Sequence, residues 1–127
     1  MRTALWWVAV ALVAVVAAGC GGKAAEDKPG PAAASTITIV GKDNVYEPVN
    51  VEIKAGQEYE VVFKNQGTSV HNLVVQAKAA VGEDFQTDVV VNEQQESKFK
   101  VKIDKEGTYT MVCTYHPEMK GDLKVTK

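Results

Sequence analysis

A chain of 127 residues, 46% hydrophobic and 24% charged, has room for one domain with a modest core. Its formal charge is −2, from 14 Lys and Arg against 16 Asp and Glu, so there is no basic stripe and nucleic acid is excluded as a partner.

The first element is a leader. Arg2 supplies a positive start, and Ala4 to Ala18 is an uninterrupted apolar run of 15 residues. A membrane-spanning helix needs roughly 20 residues, whereas a run of this length suits the core of a secretory signal. It ends in VAAGC, which resembles a bacterial lipobox with Cys20 as the lipidated residue, although Ala17 stands where Leu is more frequent. Residues 1–19 are therefore expected to be a lipoprotein signal peptide; an ordinary signal peptide and an uncleaved anchor are the alternatives. All three export the domain, which places it outside the cytoplasm at the bacterial cell envelope. Loss of residues 1–19 removes only Arg2 and moves the charge from −2 to −3.

After Cys20 the sequence GGKAAEDKPGPAAAS has no apolar periodicity and cannot bury a core. Residues 20–35 read as a flexible tether, and the folded domain as residues 36–127. With Cys20 in the leader–tether junction, a disulfide between the two cysteines is disfavoured, and Cys113 is left as a lone thiol in an oxidising compartment. Such a thiol needs burial or a bond to something else, which favours a ligand role.

From Thr36 onward the signal is strands. TITIV at 36–40 is rich in β-branched residues. Val49, Val51 and Ile53 alternate with polar neighbours, Tyr59, Val61 and Phe63 share one face, and Phe99, Val101 and Ile103 alternate with Lys98, Lys100 and Lys102. Shorter runs at 69–75, 87–91, 108–113 and 122–126 bring the total to about eight strands. The segment 77–86 reads as a loop or short helix, and Pro48 marks an edge or bulge. The expectation is an all-β, antiparallel Greek-key sandwich.

The chemistry gathers at CTYHPEM, residues 113–119. Alternation puts Tyr109, Met111 and Cys113 on one face, and Pro117 turns the chain immediately after His116. A curled loop can then aim Cys113, His116 and Met119 at one point. The only other histidine, His71, begins the predicted strand at SVHNLVV and can join them at one end of a sandwich. Two imidazoles, a thiolate and a thioether favour copper; zinc prefers thiolates and imidazoles, and Met serves it poorly.

With these residues assembled, the domain resembles the cupredoxins, the small blue-copper electron carriers. C-x2-H-x2-M is similar to the amicyanin form of the family's loop, and the HN pair at 71–72 and Y-x-P-x-x-V-x-I-x-x-G from Tyr46 to Gly56 also match. The resemblance covers residues 36–127. It implies one type 1 copper, with His71, Cys113 and His116 as equatorial ligands and Met119 as the axial one. It further implies that Asn72 ties the two ligand-bearing segments together, with Thr114 as its hydrogen-bond partner. Tyr115 stands where proline is usual, and Glu118 where a bulky apolar residue is expected, which leaves the apolar docking patch open and gives Glu118 a chance to compete as an oxygen ligand.

No enzyme activity is expected. A Cys–His nucleophile lacks an orienting third group and oxyanion donors, c-type haem would need C-x-x-C-H, and two histidines cannot build a second catalytic copper centre. The function expected is one-electron transfer between extracytoplasmic redox proteins, from a lipid anchor on the membrane. The alternatives are a lipoprotein that delivers copper itself and a metal-free adhesive sandwich.

Overall fold

Period-two patterning becomes two facing sheets. In the computed structural model, which describes residues 34–89 and 91–127, nine strands and one helical turn follow in order. They are β1 (Ser35–Lys42), β2 (Val45–Glu47), β3 (Asn50–Lys54), β4 (Glu58–Asn65), β5 (Val74–Val75), α1 (Lys78–Val81), β6 (Phe85–Gln86), β7 (Glu96–Lys102), β8 (Gly107–Val112) and β9 (Lys120–Thr126). The expectations for the leader, Cys20 and the tether up to residue 33 lie outside the described residues.

One sheet has the order β2-β1-β4-β7 and the other β3-β9-β8-β5-β6. Their inner faces supply one core, with Ile39, Tyr46, Phe63 and Val101 from the first and Ile53, Met111, Leu123 and Val125 from the second, each no more than 2% exposed. Each such large apolar side chain contributes about 1.5–3 kcal/mol on burial. The sandwich is thus as the alternation indicates, but β1 pairs with β4, and β3 with β9, in parallel. Parallel neighbours need crossover connections. Here the chain leaves β1 through β2, crosses to the other sheet for β3 and returns for β4, which makes the parallel pairing possible.

That crossing corrects one expectation. Alternation groups Val49 with Val51 and Ile53 on the buried side, yet it is 46% exposed. It lies in the bend after Pro48, where the chain passes from β2 on the edge of one sheet to β3 on the edge of the other, so the alternation starts only at Asn50.

Two predicted strands are shorter than expected, because side chains take over their ladder bonds. The 69–75 run is regular only at Val74–Val75, and the 87–91 run is replaced by a pairing at Phe85–Gln86 and one isolated bridge from Val91 to His71. The Leu73 N–H donates to Thr87 Oγ1 at 3.2 Å, and the Asp88 N–H to Ser97 Oγ at 3.0 Å. The β1–β2 hairpin turns on Asp43 and Asn44, both with positive φ of 52° and 61°. Such values at both central residues of a two-residue loop match the right-handed twist of the strands, and Asp and Asn tolerate them.

Candidate metal centre

Cys113 is the first residue beyond β8 and continues its inward alternation: Tyr109, Met111 and Cys113 are buried, while Thr110 and Val112 are partly exposed. Two backbone bonds close the following loop. The Cys113 N–H donates to the Met119 carbonyl at 3.1 Å, and the Met119 N–H to the His116 carbonyl at 2.9 Å. The second closes a four-residue turn with Pro117 at its second position, where a fixed φ near −65° is favourable. Sequence-local chemistry therefore curls 113–119 back on itself, with Cys113 and Met119 buried and His116 half-buried.

His71 arrives from the β4–β5 connection. Its backbone is held on both sides by Val91, donating to that carbonyl at 3.2 Å and accepting from that N–H at 3.0 Å. The side chain is 1% exposed. Cys113 Sγ lies 3.9 Å from His71 Nδ1 and 3.7 Å from His116 Nδ1. The three donor atoms all fall within 4.8 Å of one another, and the imidazole centroids are 4.7 Å apart, tilted by 51°. Among the described residues, this is the single cluster of three or more His, Cys, Asp or Glu donors found.

The arrangement fits one ion. Donors this close together leave room between them for one ion at the distances of metal–imidazole and metal–thiolate bonds, roughly 2.0–2.3 Å. The donor set is soft, and a His2Cys triangle with a thioether on the same loop is the set suited to copper cycling between two oxidation states. Burial holds the His71 pKa below the usual histidine value, with the neighbouring His116 adding to the effect. The ring is thereby kept neutral, with a lone pair free for a metal.

The surroundings lock the ligand-bearing segments to each other. Asn72 Nδ2 donates to Thr114 Oγ1 at 2.8 Å, and the Thr114 N–H donates to Asn72 Oδ1 at 2.8 Å, a reciprocal pair joining the two segments across 42 residues of chain. Asn72 also donates to the Val89 carbonyl at 3.2 Å. Tyr46, whose position in the sequence pattern carried no assigned role, is fully buried and donates its hydroxyl to the Asn72 carbonyl at 2.7 Å. Its pKa is pushed well above the tyrosine range by burial first and the nearby Cys113 second, so it remains a donor.

Glu118 is not a competing ligand in this arrangement. Its Oε1 accepts from Asn44 Nδ2 at 2.9 Å, which turns the carboxylate toward the β1–β2 hairpin, and it is absent from the donor cluster. Tyr115, in the same loop, is 40% exposed. A further residue that pattern reading passes over is Gly41: a Cβ there would lie 2.7 Å from Phe63 Cζ and 3.1 Å from the Met119 methyl carbon. The missing side chain is what leaves room there for Phe63 and Met119.

Comparison with known proteins agrees with this geometry. Residues 6–125 match the family described as the cupredoxin-like domain. The chain is 31% identical to amicyanin of Paracoccus versutus over 92% of each sequence. It is 28% identical to amicyanin-alpha of Methylorubrum extorquens, covering 98% of this chain and 99% of that one. In fold, it resembles auracyanin A, a "blue" copper protein of Chloroflexus aurantiacus, with a TM-score of 0.60 over 72% of this chain and 98% of that chain at 21% identity.

Proposed function

The chain belongs to the cupredoxin-like domain family, and we propose on that premise that it is a blue-copper electron carrier working from a membrane anchor outside the cytoplasm. The observation that carries the reading is the convergence of a ring nitrogen from each of His71 and His116 with Cys113 Sγ within 4.8 Å, beside a loop that also buries Met119. Copper bound there supplies a one-electron couple between Cu(II) and Cu(I). His71, Cys113 and His116 would hold the copper, with Met119 as a further, weaker donor.

The protein's part is to hold the donors still. The Asn72–Thr114 pair, the Tyr46 bond and the closed 113–119 loop fix the ligand positions before any metal arrives, so little has to move when the charge changes. Cys113 and His71 are shielded from water, whereas His116 is half-buried and gives electrons a short route to the surface. Its partners are redox proteins, a donor and an acceptor. A lipid on Cys20 with the following tether raises the effective concentration of the carrier near partners in the same membrane.

The test is the visible and EPR spectrum of the purified protein with one equivalent of Cu(II). An intense thiolate-to-copper absorption with reversible reduction supports the carrier. A pale spectrum with ready release of Cu(I) to a chelator supports copper delivery instead, and failure to bind copper removes both readings.

Two substitutions probe separate parts of the proposal. Met119→Leu is expected to keep copper and raise the reduction potential, because a thioether donor favours Cu(II) slightly and leucine supplies none; cyclic voltammetry reads this, and complete loss of copper contradicts it. Cys20→Ala is expected to shift the protein from the membrane fraction to the soluble fraction on cell fractionation. Unchanged membrane association would instead show that the apolar run of residues 4–18 remains as an anchor.

A further inference from the structure

Asn65 ends β4 and is 1% exposed, an unusual place for a polar side chain unless all its groups are paired. All of them are. Nδ2 donates to the Ser69 carbonyl at 2.7 Å and to the Val91 carbonyl at 2.8 Å, and Oδ1 accepts from the Gly67 N–H at 3.0 Å. The Val91 carbonyl is the same one that accepts from the His71 N–H. Asn65 therefore bonds both to the loop that leads into His71 and to the backbone that pins it.

The loop it draws in lies against the imidazole. A Cβ built on Gly67 would stand 2.9 Å from His71 Nε2, closer than real Cβ atoms come, and 3.3 Å from Cδ2. Bare backbone at Gly67 thus covers the Nε2 edge of the ring, while the Nδ1 edge faces Cys113 Sγ at 3.9 Å. That backbone limits any swing of the ring toward its Nε2 side.

We infer that Asn65 and Gly67 form a positioning clamp on His71, fixing which edge of the imidazole faces the centre before and after metal binds. The inference rests on the reading of His71 as a ligand. Neither residue supplies a donor atom: Gly67 bears on the His71 ring directly, and Asn65 acts through the loop and the Val91 carbonyl. On the His71 side of the site, the clamp is the counterpart of the Asn72–Thr114 pair, which holds the Cys113 side. Outer partners that orient a ligating histidine typically change metal affinity by about 10–100-fold when removed, which sets the size of the expected effect.

The test uses the full purified chain with Asn65→Ala, Gly67→Ala and Tyr109→Phe. The last removes a 2.8 Å bond to the Lys105 carbonyl at the other end of β8, and so lowers stability away from the site. Metal-free protein is read by the 15N NMR signals of the His71 ring, and copper-loaded protein by Cu(I) affinity and the EPR hyperfine pattern. Asn65→Ala is expected to broaden or shift the His71 ring signals, weaken Cu(I) binding by about tenfold or more and alter the EPR pattern, with Tyr109→Phe unchanged in all three. Should Asn65→Ala fail to fold, Gly67→Ala decides, since it keeps the Asn65 side chain and presses hardest on the ring. Altered ring signals there support the clamp, and ring signals and EPR like those of the unaltered protein overturn it. Because the NMR readout needs no copper, it separates failure of the clamp from failure of the carrier reading.

Discussion

Cys113→Ser is expected to abolish the blue absorption completely while leaving the metal-free fold nearly as stable as before. The colour requires a copper–thiolate bond, and a serine hydroxyl neither ionises near neutral pH nor offers a polarisable donor. Removal of a direct ligand should also weaken Cu(I) binding by more than the roughly 100-fold that loss of an outer partner can cause. The fold is spared because the side chain, 3% exposed, sits at the rim of the core with two imidazoles 3.7 and 3.9 Å away. Serine is close to cysteine in size, so the change neither opens a large cavity nor overpacks the core. Titration with Cu(II) followed by visible spectroscopy, beside thermal unfolding of the metal-free protein, reads both halves. An intense band retained in the serine variant would remove the assignment of Cys113 as a ligand.

Gly121→Ala is expected to cause the largest loss of stability of any glycine-to-alanine change among the described residues. Gly121 is the second residue of β9, which pairs with β8 on one side and β3 on the other. A Cβ there would overlap the Val49 carbonyl oxygen and reach within 2.9 Å of the Met111 methyl carbon. Met111 can adjust, but the Val49 carbonyl is held by the Asp122 N–H at 2.9 Å, so relief requires the chain entering β3 to move away from β9. Overpacking of this kind costs about 1–3 kcal/mol, occasionally more. For a domain of this size each kcal/mol lowers Tm by about 4–8 °C. A thermal melt of the metal-free variant checks the result, and an unchanged Tm would show that the bend after Pro48 yields freely.

The same bend separates what was legible from what was not. Alternation places Tyr59, Val61, Phe63, Val101 and Ile103 correctly, because a strand half-buried against a core has no other way to sort its side chains. It misplaces Val49, since the chain crosses between sheets there and the period restarts. Residues 69–73 and 87–91 carry strand-forming composition, but Asn65, Asn72, Thr87 and Ser97 spend their side chains on backbone groups that a ladder would use. Composition cannot show that competition, because it depends on which side chains meet.

By itself, the sequence determined the kind of site this protein can hold. One domain thiol, two imidazoles and a thioether in a loop turned by Pro117 are a soft donor set, and metal preference follows from donor chemistry before geometry. It also determined the sandwich, because burial of one face per strand is a local pattern. The meeting of His71 with Cys113, 42 residues apart, was decided only in three dimensions, as were the parallel pairings, the Asn72–Thr114 lock and the close packing at Gly41, Gly67 and Gly121. These are contacts between segments distant in the chain, and their distances depend on how the two sheets are connected and stacked, which no local pattern encodes.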